Sequence, residues 1–306
     1  MRRRNVIKSI GSLAGGVTAS PLIAEQDKFR LRYILSSAMY GYMPLESILP
    51  QVTLTGSEAI DVWCKVHGNQ REQIDKMGHN VAKNLLAKHK VKAAVFTRYP
   101  LGPFGLVDEM RKIHKNFDAE IIVCGTTGPS EVKGKEAKKV VSEFLEKMKP
   151  HVSVAEELGM TIAVENHSRQ FLYHPDSLQY FAELNSSKNL GVALAPHHLH
   201  RFQDQIPAII RDLGNANIPF MYFQEHSDGM YKKASKEIEM RQMPGFGGGL
   251  DYKPILRALK DIKYDGYCEI FMHPVPRGIP ILPTIEEISK AINKSREYIE
   301  SSLKEA

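Results

Sequence analysis

The sequence predicts a single eight-fold parallel β/α barrel, (β/α)8, and three observations predict it. Short apolar runs of strand length alternate with longer amphipathic stretches from residue 29 onward. Eight such runs can be counted, the number that closes a parallel barrel. Several of them end in a carboxylate or an imidazole, and α/β folds keep their ligands at the carboxyl ends of strands. The clearest are Thr161-Ile162-Ala163-Val164-Glu165-Asn166-His167 and Tyr267-Cys268-Glu269-Ile270-Phe271-Met272-His273.

In chain order, Phe29–Leu35 is the first strand-like run, followed by the small-residue loop Ser36–Gly41. Ala59–Trp63 is the second, with His67-Gly68-Asn69 beyond it. Gln70–Lys88 then places Ile74, Met77, Val81, Leu85 and Leu86 at helical spacing. Val91–Thr97 is the third strand, leading into the aromatic, proline-bearing loop Arg98–Pro103. A helix at Leu106–His114 precedes the fourth strand, Ala119–Cys124. Lys135–Leu158 is a long amphipathic helix, with a kink or restart expected at Pro150 and a stop at Gly159.

The fifth strand delivers Glu165. Ser177–Leu184 is helical, Leu190–Leu194 is the sixth strand, and Gln205–Leu213 is helical again. Phe220–Gln224 is the seventh strand, ending beside Glu225 and His226. Asp251–Ile262 is a helix, Tyr267–Phe271 the eighth strand, and Thr284–Leu303 a closing amphipathic helix. The long segment Gly229–Gly249 opens with a charged stretch, Lys232–Arg241, and closes on Met243–Gly249, glycine-rich enough to fold over a barrel mouth as a lid. No linker divides the chain, so residues 27–306 read as one barrel behind a leader at residues 1–26.

That leader carries Arg2, Arg3, Arg4 and Lys8 without an acid, and removing the first 24 residues lowers the net charge from +6 to +2. A mature chain so close to neutrality gives no electrostatic case for nucleic acid. Arg3-Arg4-Asn5-Val6-Ile7-Lys8, followed by a mildly apolar segment ending Leu22-Ile23-Ala24, resembles a twin-arginine export signal. An exported, periplasmic protein without a lasting membrane anchor is the expectation. Cys64, Cys124 and Cys268 lie apart in strand-like runs and read as buried thiols, with neither zinc spacing nor a disulfide framework.

Polar groups that end barrel strands converge on one mouth. Here they are Trp63 and His67, Arg98, Glu165 with Asn166 and His167, His197 with His198 and His200, Gln224 with His226, and Glu269 with His273. Glutamate oxygens and imidazole nitrogens suit Mn²⁺, Co²⁺, Zn²⁺ or Mg²⁺. Not all of His197, His198 and His200 can face inward; one is expected to be functional. Trp63 offers an aromatic face on which a sugar ring stacks.

Taken together, the strand ending Glu165-Asn166-His167, Leu190-Gly191-Val192-Ala193-Leu194-Ala195-Pro196-His197-His198, the polar end near His226, and Tyr267-Cys268-Glu269-Ile270 resemble the xylose-isomerase-like barrel superfamily. The resemblance spans residues 28–303 and implies an isomerase or epimerase of a sugar, sugar phosphate or polyol. It also implies a divalent metal held by Glu165 and Glu269, with His198 and either Gln224 or His226. The same two glutamates would move the proton, through an enediolate. Trp63, His67, Arg98, Asn166, His167 and Arg277 are the expected substrate contacts. Where the family places a liganding aspartate, this chain has Ala195.

That departure leaves three outcomes open: His198 or Gln224 fills the vacancy, the glutamates work without a metal, or the barrel only binds its sugar. A keto-sugar lyase is the enzymatic alternative, since it starts with the same proton abstraction. A three-zinc abasic-site endonuclease needs further histidines after strands two and three, and the third strand here ends Arg98-Tyr99-Pro100. A small carbohydrate is the expected partner, with homo-oligomerisation left open.

Overall fold

A computed structural model describes residues 29–306. The expected leader at residues 1–26 lies outside the described residues. Eight parallel strands close in sequence order: β1 (Arg32–Ser36), β2 (Ala59–Trp63), β3 (Ala93–Thr97), β4 (Ile121–Gly125), β5 (Thr161–Glu165), β6 (Leu190–Leu194), β7 (Phe220–Phe223) and β8 (Tyr267–Ile270), with β8 returning to β1. β2, β3, β4 and β6 are buried along their whole length, the burial a parallel sheet sheathed in helices imposes. No helix among the described residues is long and apolar enough to cross a membrane.

The helices are α1 (Leu45–Leu54), α2 (Gln70–Met77), α3 (His79–His89), α4 (Val107–Phe117), α5 (Gly134–Leu158), α6 (Pro175–Leu184), α7 (Ile206–Leu213), α8 (Lys236–Met240), α9 (Tyr252–Asp261) and α10 (Ile285–Glu305). Three differences from the sequence reading have physical causes. The stretch 70–88 is two helices, because Gly78 takes φ 87°, a backbone turn that ends α2 and starts α3. α5 runs unbroken through Pro150; the carbonyl of Glu146 that the proline cannot bond lies on an exposed turn, open to water. α1 is a helix the sequence reading lacks. Pro50 and the β-branched pair Val52-Thr53 obscure it, yet Leu45, Ile48, Leu49 and Val52 form one buried stripe.

Below the mouth, a buried charge cluster ties α2, α4 and the end of β3 together. Arg71 is 1% exposed, and its Nε donates to Glu109 Oε1 at 2.6 Å while Nη2 donates to Oε2 at 3.3 Å. Arg98 Nε lies 3.3 Å from the same Glu109 oxygen. Removing Glu109 leaves the buried Arg71 with the exposed Asp75 alone, at 2.8 Å, and takes the ion-pair partner from Arg98. Glu109→Ala is therefore expected to lower unfolding free energy by about 3 kcal/mol, read as a shift in the denaturation midpoint at unchanged m-value.

Candidate active site

The strand register decides which side chains share the mouth. Glu165 ends β5 opposite Ala193 of β6, and Glu269 sits opposite Tyr222 of β7 and Ile34 of β1. Beyond β6 the chain is locked by Asn166, whose Oδ1 accepts from Ala195 N at 2.6 Å and whose Nδ2 donates to Ala195 O at 3.1 Å. Asn166 is thus a clamp on its neighbouring strand. Pro196 then opens a 3-10 run, Pro196–Gln205, which turns two imidazoles inward where one was expected.

Those imidazoles meet Glu165. His198 Nε2 lies 3.5 Å and His197 Nε2 3.9 Å from Glu165 Oε1, and one donor atom from each of the three residues falls within 4.8 Å of the others. His197 is 1% exposed, and neither of its ring nitrogens has a hydrogen-bond partner. Buried polar atoms without partners are costly, and a carboxylate with two imidazoles is a donor set that Zn²⁺ or Mn²⁺ accepts. The residues present therefore fit a divalent ion, in a different set from the one the sequence suggested.

The other expected ligands go elsewhere. Gln224 is fully buried and donates to Gln242 Oε1 at 2.9 Å. His226 stacks on the exposed His200, with ring centroids 3.8 Å apart. Glu269 is 0% exposed and within hydrogen-bond reach of Asp61 on β2, a residue the strand-end pattern passes over because it stands inside its apolar run. Thr97 Oγ1 donates to Asp61 Oδ2 at 2.6 Å. Ser36 and Trp63 face the pair as donors and oppose part of the effect of burial. Two buried carboxyls in contact cannot both ionise. Burial raises both, Asp61 to about 7 and Glu269 well above the usual carboxylate range, with Asp61 pushing Glu269 further.

A cavity of about 220 Å³ opens among the residues that follow the strand ends. Trp63 lines it, stacked on Tyr99 at 6.0 Å and on Phe271 at 4.7 Å, and Glu269 is not among the lining residues. Glu165, His67, His167, His198 and Arg277 also line it, as does His273. Arg98 does not, being held by Glu109. From the long segment after β7 come Met230 and Tyr231, the Tyr231 hydroxyl lying 3.3 Å from His198 Nδ1. The glycine-rich end of that segment packs instead against Glu225, whose Oε2 accepts from Leu250 N.

Desolvation governs the charge of the lining. Glu165, 3% exposed, is pushed up to about 8 by burial, with His167 opposing. Burial brings His67 and His198 down to about 3 and His167 to about 4; His197 and His273 fall well below the usual value. Near neutral pH the imidazoles carry no charge, and Glu165 is mostly protonated but close to its titration point.

Residues 53–298 match the family described as Xylose isomerase-like TIM barrel. No curated protein matches the chain. Among solved structures, the IOLI protein with a binding zinc atom shares 16% identity at TM-score 0.67, covering 90% of this chain and 99% of that one. A D-tagatose 3-epimerase-like protein shares 17% at 0.61, with the same coverage. D-allulose 3-epimerase from Methylomonas sp., in complex with D-allulose, shares 13% at 0.64, covering 90% and 98%. At such identities the likeness shows the fold.

The Asp61–Glu269 pair has a signature in stability. Asp61 binds a proton more tightly folded than unfolded, so its contribution is complete below the unfolded carboxylate range near pH 4 and is lost as pH rises to about 7. Asp61→Asn should remove that slope, about 1.4 kcal/mol per pH unit. Urea titrations from pH 4 to 7 are expected to show the variant gaining on the parent as pH rises.

Proposed function

This chain belongs to the xylose isomerase-like TIM barrel family, and from that premise we propose that it is an isomerase of a small polyhydroxylated carbonyl compound, with Glu165 as its acid–base group. The observation that carries the proposal is Glu165 itself, a buried carboxyl pushed to about 8 at a strand end in a monosaccharide-scale cavity ringed by neutral imidazoles. At about 220 Å³ the space is smaller than the roughly 300–1,000 Å³ of sites for drug-sized ligands, which argues against oligosaccharides.

The chemistry follows from a base whose affinity for protons is near the working pH. The ionised fraction of Glu165 removes the proton from carbon next to the carbonyl, and the electron pair moves into an enediolate. Neutral imidazoles at His167, His198 or His273 present N–H groups to its oxygens, the role an uncharged histidine fills better than a charged one when the product must leave neutral. The same carboxyl returns the proton to the former carbonyl carbon, while the hydroxyl proton passes to the former carbonyl oxygen through an imidazole at His167 or His273, which gives up one N–H proton and takes back the other. Glu269 is no second base in this scheme, because it is fully buried beside Asp61 and does not line the cavity. One carboxyl supports transfer along one face, hence isomerisation over inversion at a single centre.

His197, His198 and the ionised form of Glu165 would hold a divalent ion, which when bound would supply a Lewis acid for the substrate's oxygens and keep Glu165 in its basic form. Trp63 offers the stacking face, and His67 flanks it at 5.3 Å. The paired arginines of the leader support export of the folded enzyme as part of the same reading.

Mass-spectrometric detection of solvent deuterium in a panel of ketoses tests the proposal. Incorporation at one carbon is expected, falling about 10²–10⁴-fold in Glu165→Gln and largely kept in Glu269→Gln. Glu165→Gln should also lose stoichiometric Zn²⁺ or Mn²⁺ in metal analysis. An ultraviolet-absorbing unsaturated product would favour the lyase, and substrate binding without exchange would favour a sugar-binding barrel. Exchange undiminished in Glu165→Gln contradicts the assignment.

A further inference from the structure

Two guanidinium groups line the cavity, Arg169 and Arg277, and among the described residues neither has a carboxylate within ion-pair distance. Arg277, half-buried in the loop after β8, is held by backbone: Nη1 donates to Pro274 O at 2.8 Å and Nη2 to Met230 O at 2.6 Å. Carbonyls fix the plane of the group without cancelling its charge, and three of its five N–H bonds are left for another acceptor. Arg169, in the exposed loop after β5, lies 5.1 Å over the ring of Tyr231, the residue that also contacts His198.

The rest of the lining does not offset these charges. Glu165 is the one acid among the lining residues, and Glu239, which also attracts Arg277, is itself paired with Lys236 at 2.6 Å, so the sum stays positive. Elsewhere this chain pairs its buried arginine, as Arg71 with Glu109 shows. A half-buried guanidinium kept unpaired at a cavity wall carries a desolvation cost that an incoming anion would repay. Planar, oriented N–H groups match carboxylate and phosphate oxygens two at a time.

We infer that the substrate is anionic, a sugar acid or a sugar phosphate, with its charged group received by Arg277 and Arg169 standing beside it. The inference rests on the reading of this cavity as the substrate site and narrows it, setting aside neutral ketoses.

Calorimetric titration of the whole protein with D-fructose, D-fructuronate, D-fructose 6-phosphate and inorganic phosphate tests it. At least one charged ketose should bind about 10- to 100-fold more tightly than D-fructose, the value of one charge-assisted contact, and added salt should weaken it. Whether the carboxylate or the phosphate compound gains more, and whether inorganic phosphate competes, identifies which anion the site takes. Arg277→Gln should erase the preference, Arg277→Lys should keep part of it, and Arg169→Gln, a change at an exposed position, should reduce it. Equal binding of D-fructose and both charged ketoses overturns the inference, as does a preference unchanged in both glutamine variants, or no binding of any anion. Deuterium exchange into neutral ketoses with no anion preference sinks the anion and leaves the isomerase standing. Anion binding without exchange does the reverse.

Discussion

Exclusion of water from the barrel mouth is the constraint on which the rest of the site depends. Five imidazoles and three carboxyls are packed where charge is poorly solvated, and each responds by favouring its neutral form. Imidazoles at 4.0–4.1 Å centroid spacing, His167 to His198 and His198 to His197, could not all be protonated without repelling one another. Neutral, they are available as hydrogen-bond donors or as metal ligands. The same desolvation lifts Glu165 toward the pH at which a carboxyl can both take and return a proton.

At Ala195, where the resemblance implies an aspartate, the structure uses the backbone instead. The residue's side chain is only a methyl group, and its backbone is gripped by Asn166 at both the N–H and the carbonyl. The turn that follows brings His197 and His198 onto Glu165. Meanwhile Asp61 occupies Glu269, so the chain keeps two glutamates at matching strand ends but gives them different work. One faces the cavity; the other is buried beside an aspartate, outside the cavity lining.

Much of the fold was legible in the sequence, because continuous apolar strands and amphipathic helices leave periodic marks. All eight strands lie where the apolar runs do, with ends displaced by a few residues, as at β1, which spans Arg32–Ser36 against an expected 29–35. Helix α1 was hidden by its proline, and the break at Gly78 by a pattern that runs in phase across it. The site was legible only as a collection of strand ends. Glu165, Trp63, His67, His167, His198 and Arg277 do line one cavity. Arg98, Gln224 and Asn166 were chosen by the same rule and are spent on Glu109, Gln242 and Ala195, partners far away in sequence or too local to imply a ligand. Asp61 had a signal, an acid inside an apolar run, while Tyr231 and Arg169 sit in loops whose path no periodicity reveals.

Uncharged imidazoles at the mouth underlie the chemistry of the site, and ¹⁵N NMR of histidine ring nitrogens in the metal-free protein observes them directly. Burial predicts that the signals of His67, His167, His197, His198 and His273, assigned by single substitutions, keep the chemical shifts of neutral tautomers down to about pH 5, well below where a free histidine has gained its proton. Imidazolium shifts at about pH 6 for most of the five would mean that water reaches the mouth, and the reading of Glu165 as a poised acid–base group would fall with it.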